Sequence, residues 1–418
     1  MSNVTIMAFG IGTSVLTGRL LSPSQNGILS ALLVYPSLFM VFGSMGIRQS
    51  TTYFVGKEIY DLKKIRIAIT QIWMLTTIFC MVSCYLLIKF FTKNVHDERL
   101  IFAAVGAIPF ALYNTYSSGI YLGKNEIKQF NKINWIPNFV IFLATIALVY
   151  FFKLEVFGAI LAILLGHVSI FLILIVKNDF LEYFSFTFEG AIIRKMLSLG
   201  LIYALSLLVS MMNYKVDVIL LENYSTSHEL GIYSKGTSIV QYLWQIPSLF
   251  SAIIFARSAV SKDDKAFSIK VSQLLRLSLV VIGVLALLLM VLSKFVILVL
   301  FGEKFLDSVA VMQILLPGVV LLTIFKVMNM DLAGKGKPWI AMQSMSVPLV
   351  FNVLLNLYLI PKYGSVGAAI SSLVTYSMAA FFFLHFYSKA TGIKVKDILH
   401  FQKADFEPLR ALYQKIKK

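Results

Sequence analysis

The sequence predicts an all-α integral membrane protein of about twelve transmembrane helices, in two parallel six-helix lobes around a central cavity. Three observations carry this: the composition, the length of the apolar runs, and a repetition at half the chain length. Of 418 residues, 58% are hydrophobic and only 14% are charged. A soluble domain typically runs ~45–50% apolar and ~25% charged. A folded globule cannot hide that much apolar surface, and each spanning helix takes up ~20 apolar residues. Disorder, a secreted disulfide scaffold and a large soluble domain are excluded. The net charge of +17 would suit nucleic acid on a soluble chain. On one this apolar it reflects cytoplasmic loops, and no nucleic-acid partner is expected.

The apolar segments run, in order, over 3–21, 27–55, 67–91, 100–121, 133–152, 155–176, 196–221, 231–256, 271–300, 306–332, 339–360 and 365–388. They are long and continuous, without the roughly ten-residue alternation of a barrel strand, so they read as helices. Pro36, Pro137, Pro247 and Pro348 fall inside segments and predict kinks. Cys80 and Cys84 lie one turn apart in an apolar run and read as packed thiols. The first basic residue is Arg19, so no charged region precedes the apolar start and no cleavable signal is expected. Twenty-four of the lysines and arginines fall on one set of loops and the tail after 388, and eight on the other set. Positive charge marks the cytoplasmic side, so both termini are expected there.

Gly27 matches Gly231, Gly123 matches Gly334, and Gly158 matches Gly367, at offsets of 204, 211 and 209 residues. Half the chain is 209. The first match includes the turn before it: Ser22 to Ile28 resembles Ser225 to Ile232 with one residue inserted. Six spans per repeat is even, so the halves are parallel repeats and imply rocking alternating access. The expected boundaries are a lobe at 1–190, a lobe at 191–389 and a basic cytoplasmic tail at 390–418. In the tail, Phe406, Leu409, Leu412, Tyr413 and Ile416 recur at helical spacing. A helix held on the inner leaflet by anionic lipid and a solvated tail are the two readings.

No catalytic constellation is visible. The five histidines are scattered, and no CxxC, HExxH, P-loop or GxSxG occurs. No enzyme activity, cofactor or metal is expected. The informative residues are charges inside spans, each costing ~2.5–3.5 kcal/mol at a helix centre and tending to face the bundle interior. They are Arg48, Lys215, Asp217, Lys235, Lys326, Arg276 and Asp331, with Arg257 where the eighth span meets the cytoplasm and Arg19 closing the first. The spans of the first half hold no carboxylate, so the interior is cationic on balance and suits an anion, a phosphate group above all. Arg48, Lys215, Arg257, Lys326 and Arg19 are the candidate substrate-binding cations. Asp217 and Asp331 are candidates for coupling or ion pairing. Arg48, Lys215, Lys326 and Lys235 could each snorkel to an interface instead, and Arg19 and Arg257 could serve as anchoring or orientation charges. Small polar residues such as Asn114, Ser118, Ser206 and Asn213 suit sugar hydroxyls or helix–helix contacts.

These residues resemble the multidrug/oligosaccharidyl-lipid/polysaccharide (MOP) exporter superfamily, and within it the Wzx-type O-antigen and polysaccharide flippases. The resemblance rests on loose motifs over nearly the whole chain. They are Gly18–Gly27 closing the first span, Gly46-Ile47-Arg48-Gln49-Ser50 in the second, Asp217-Val218-Ile219-Leu220-Leu221, Gly231-Ile232-Tyr233-Ser234, Leu332–Pro338 and Pro361–Ile370. It implies movement of an undecaprenyl-diphosphate-linked oligosaccharide from the cytoplasmic to the periplasmic leaflet of a bacterial inner membrane. It also implies work beside other polysaccharide-assembly proteins. By position, Arg48 and Arg257 fall where related lipid II flippases carry basic cavity residues. The alternative is a cation-coupled multidrug exporter of the same fold. That function wants an acid inside a lobe, and only Asp217 and Asp331 are available. A membrane-embedded glycan polymerase would need a large external loop and a catalytic pair, and neither is visible.

Overall fold

The structure is a computed structural model that describes residues 2–93, 97–177, 188–259, 261–402 and 405. Among these the chain is helical throughout. The first half runs α1 (Ser2–Leu20), α2 (Pro23–Gly43), α3 (Ile47–Gly56), α4 (Leu62–Phe91), α5 (Glu98–Val105), α6 (Ile108–Gly123), α7 (Ile127–Ile133), α8 (Ile136–Thr145) and α9 (Glu155–Lys177). A π-helical turn, Ile146–Phe151, extends α8. The second half runs α10 (Gly190–Tyr224), α11 (Ser227–Tyr242), α12 (Gln245–Ala259), α13 (Asp264–Leu300), α14 (Ser308–Gly334), α15 (Trp339–Thr391) and the short α16 (Val395–Leu399).

Nine helices among the described residues are long and apolar enough to cross a membrane, counting α2 with α3, α5 with α6, and α7 with α8 as single spans. The pair α11 and α12, bent by 48°, makes a tenth. With 53 residues, α15 would be ~80 Å long, far more than the ~30 Å hydrocarbon core. It breaks at Gly364 (φ 53, ψ −129), so it supplies two crossings. The apolar α1 completes the twelve expected segments.

Helix starts follow side-chain chemistry. Ser22 caps α2 in a reciprocal box: the Gln25 amide N–H donates to Ser22 Oγ (3.2 Å), and the Ser22 N–H donates to Gln25 Oε1 (2.8 Å). Asp61 caps α4, Asp97 caps α5, and Thr226 accepts from the Glu229 N–H at the start of α11. Capped this way, Ser22 registers with Thr226 and Gln25 with Glu229 at the same 204-residue offset as Gly27 and Gly231, with no insertion. Pro36 and Pro348 sit inside helices as expected, and Pro137 lies inside the span Lys128–Phe151, where it starts α8 just after α7 ends.

The matched glycines make matched contacts. A Cβ on Gly123 would meet Val55 Cβ at 2.6 Å, which packs the end of the fourth span on the second. One on Gly334 would meet the Phe255 carbonyl oxygen at 2.6 Å, which packs the tenth on the eighth. Gly158 and Gly367 each close on the carbonyl of the preceding span, at Leu148 and Leu359. The sequence repeat is therefore a repeat of packing.

The chain forms two compact units, Met1–Lys235 with Val299–Phe305, and Gly236–Leu298 with Leu306–Lys418. In the first, Ile47, Ile65, Ile69, Tyr116, Ile192 and Met196 form one buried core that joins α3, α4, α6 and α10. In the second, Arg276 of α13 pairs bidentately with Asp405 (both bonds 2.7 Å) and donates to the Ile398 carbonyl (2.9 Å), docking the segment after α16. The Arg276 guanidinium holds the Asp405 carboxyl below its ordinary range. The apolar tail positions Phe406 to Ile416 lie outside the described residues.

Candidate functional site

Arg48 is set by backbone geometry. Met45 (φ 46) and Gly46 (φ 62) turn left-handed, break the second span and restart it as α3. A Cβ on Gly46 would overlap the Gly200 carbonyl of α10, and one on Gly119 of α6 would lie 2.8 Å from the Arg48 carbonyl oxygen. The α3 backbone is thus wedged between α6 and α10 by contacts only glycine permits. The Arg48 side chain is exposed, and its guanidinium has no hydrogen-bond or ion-pair partner among the described residues. An unsatisfied guanidinium within a span is costly unless a ligand or water meets it.

On α10, Lys215 is half-buried and also has no partner among the described residues. Asp217 is fully buried and accepts from the Tyr233 hydroxyl at 2.8 Å. Two residues apart, Lys215 and Asp217 do not meet, as their spacing requires. Nor are Lys215 and Arg48 brought together. Arg48 follows the Gly46–Gly200 contact, and Lys215 stands fifteen residues further along α10, ~22 Å at helical rise. Glu222, one residue beyond the predicted seventh segment, is 1% exposed and accepts from the Lys93 N–H at 2.8 Å.

Arg19 is exposed at the end of α1 and donates through Nε to the Leu300 carbonyl at 3.2 Å and through Nη2 to that of Val299 at 2.5 Å. A cation on the last carbonyls of a helix is favoured by the helix dipole. Lys304 does the same for α1, donating to the carbonyls of Arg19 (2.9 Å) and Leu21 (2.6 Å). Burial and the neighbouring Arg19 push its ammonium pKa down. Lys304 lies in the turn after α13, and its reach back to residues 19 and 21 carries no sequence signal.

In the second unit, Lys326 lies over the Trp244 ring, 4.6 Å from its centroid, and Trp244 Nε1 donates to the Val319 carbonyl at 3.0 Å. Arg257 is exposed at the end of α12, with no partner among the described residues. Asp331 is fully buried and saturated. It accepts from Ser258 (2.6 Å), Ser268 (2.6 Å) and Tyr387 (2.6 Å), and pairs with Lys335 at 3.0 Å. Four helices, α12 to α15, meet on that carboxylate. The small polar residues are mostly turned on their own helices. Thr115, Ser206 and Ser210 donate to the carbonyls four residues back.

Two kinds of in-span charge emerge: those held by protein groups, such as Asp217, Asp331, Arg276 and Lys326, and those left to solvent or ligand, Arg48 and Lys215. The second kind is cationic and suits an anion. Among the described residues no three His, Cys, Asp or Glu side chains converge to hold a metal.

Residues 15–310 match the family model described as polysaccharide biosynthesis protein. An uncharacterized membrane protein of Methanocaldococcus jannaschii is 23% identical, the match covering 87% of this chain and 77% of that protein. Among solved structures, the lipid II flippase MurJ in an inward closed conformation superposes with a TM-score of 0.78 at 16% identity, covering 99% of this chain and 92% of that one. An inward-facing multidrug resistance MATE family transporter of the MOP superfamily gives 0.74 at 14% identity, covering 93% and 94%. The fold is that of the MOP superfamily.

Proposed function

The chain belongs to the polysaccharide biosynthesis protein family, and we propose that it is a flippase for a polyprenyl-diphosphate-linked oligosaccharide. It works by alternating access, from the cytoplasmic to the outer leaflet, in the assembly of a surface polysaccharide such as an O-antigen. The observation that carries this reading is the contrast among in-span charges. Arg48 and Lys215 have no partner among the described residues, while the buried carboxylates Asp217 and Asp331 are engaged by protein donors. Such an interior favours a diphosphate over a cationic drug. Arg48 makes the first contact from the cytoplasmic side and Lys215 a later one, with Arg19 adding positive potential in the same unit; Arg257 and Lys326 are the candidate cations that the second unit offers. The fold's resemblance to a structure named as a lipid II flippase supports the same class of cargo.

In this reading the lobes divide at about residue 190, both termini are cytoplasmic, and the basic tail meets anionic lipid, beside other polysaccharide-assembly proteins. The test is a strain lacking the gene. Lipid-linked oligosaccharide, quantified by mass spectrometry, should accumulate on the cytoplasmic leaflet while surface glycan disappears. Unchanged pools, in a strain with no second flippase, would sink the proposal.

A further inference from the structure

The second span is broken at Met45 and Gly46, so α2 does not set how deep α3 sits in the membrane. Neighbouring helices of the same compact unit set it instead. Toward α10, Gly46 lies on Gly200. Toward α6 the two helices run the same way, with Gly119 against Arg48 and Gly123 against Val55. Gly119 and Gly123 are four residues apart, the small-residue spacing that lets membrane helices close backbone to backbone.

The two glycines differ in what they serve. Gly123 has a counterpart in the second half, Gly334, whose Cβ would lie 2.8 Å from Ser258 Cβ. Ser258 stands 203 residues after Val55, so the contact is common to both halves and belongs to their packing. Gly119 has no such counterpart. At the 211-residue offset of Gly123 and Gly334 it falls on Met330, and 203 residues after Arg48 stands Ser251. The second glycine therefore occurs only in the half whose short helix carries the cation.

The approach at Gly119 is tight on atoms that cannot yield. A Cβ there would lie 2.8 Å from the Arg48 carbonyl oxygen, 2.9 Å from Thr51 Cβ and 3.2 Å from Arg48 Cα. These are backbone atoms and the root of a β-branched side chain, so relief means moving α3 itself. The Thr52 hydroxyl fixes the same place. It donates to the Arg48 carbonyl (2.7 Å) and lies 3.3 Å from the Gly119 carbonyl oxygen, between the two helices.

We infer that Gly119 and Thr52 are positioning residues for Arg48: they set the depth at which its guanidinium meets the substrate anion. No protein group among the described residues holds that guanidinium, so its placement falls to the backbone beneath it. The substrate clause rests on the flippase reading; the seating of residue 48 does not.

The test uses the full chain in proteoliposomes at matched folded amounts, with transfer of a polyprenyl-diphosphate oligosaccharide as the readout. Gly119→Ala should cut transfer about tenfold in the parent and less than about twofold in an Arg48→Ala background. Thr52→Val, which keeps the shape and loses the donor, should follow the same pattern at about threefold, and Thr52→Ser should restore the parent rate. Where Gly119→Ala fails to fold, the two Thr52 variants decide. Equal losses with and without Arg48 overturn the inference, because a packing role costs the same in both backgrounds, and they leave the flippase reading intact. Absence of transfer by the parent removes the flippase reading, and the seating is then read without substrate. The readout is the rate at which a charged maleimide labels Arg48→Cys on a Cys80→Ala/Cys84→Ala background. Gly119→Ala should change that rate about tenfold, and an unchanged rate overturns the inference.

Discussion

Asp331 in the second unit and Arg48 in the first are both charges within spans, and they are opposite in design. Three hydroxyls and a lysine close around Asp331. Nothing among the described residues closes around Arg48, although the backbone beneath it is fixed by three glycines. A saturated buried charge knits helices together, and its loss strands its partners. An unsatisfied one adds nothing to folding and is retained at a cost, so its use lies outside the protein. Charge within a span is thus not one signal but two, separated by partner count.

The sharpest way to break the comparison is to exchange the expected phenotypes. Asp331→Ala should destabilise the protein by about 3–5 kcal/mol, because it leaves Lys335 buried without its carboxylate. Chemical denaturation in detergent reads this directly. Arg48→Ala should leave that curve unmoved while transport falls ~10–100-fold, the loss of one charge-assisted contact to substrate. Arg48→Lys should recover part of it. If instead Arg48→Ala unfolds the protein and Asp331→Ala only slows it, the assignment of the two sites is inverted.

A smaller effect is expected at the Arg276–Asp405 clamp. The folded carboxyl sits below its unfolded value of ~3.9. Its contribution is therefore present above that value and lost only as pH falls through the lower folded one. Protection of the amides across 395–402, relative to their intrinsic exchange, should hold from pH 7 down to about 5 and fall only in stronger acid. Asp405→Asn should lower that protection between pH 5 and 7 and converge with the parent in strong acid. The smallest effect belongs to the exposed Lys89–Glu98 pair (2.9 Å), where Lys89→Gln should change neither stability nor transport measurably.

Much of the fold was legible because membrane physics writes it in long apolar runs. The twelve segments follow from run length, and the three glycine pairs from their offsets. What failed was local or non-local in a way periodicity does not see. Pro137 lies within the span Lys128–Phe151, but that this span breaks between α7 and α8 is a local detail that run length does not carry. Glu222 was missed by one residue, within the ordinary uncertainty of a helix end. The Asp331 partners Ser258, Ser268 and Tyr387 are spread over three other helices, so the sequence marks the acid but not its saturation. Lys304 read as a loop charge, and only folding shows it reaching the carbonyls at the end of α1.

The most direct test of the central claim, that the unpartnered cations handle the substrate anion, is a translocation assay in proteoliposomes. A polyprenyl-diphosphate oligosaccharide would be loaded on one leaflet, and its appearance on the other followed by a soluble glycosidase. Parent protein, Arg48→Ala and Lys215→Gln would be compared at matched folded amounts. The account predicts rapid transfer by the parent, and transfer reduced most by Arg48→Ala and next by Lys215→Gln, with unfolding curves unchanged. Equal transfer by all three proteins would contradict it.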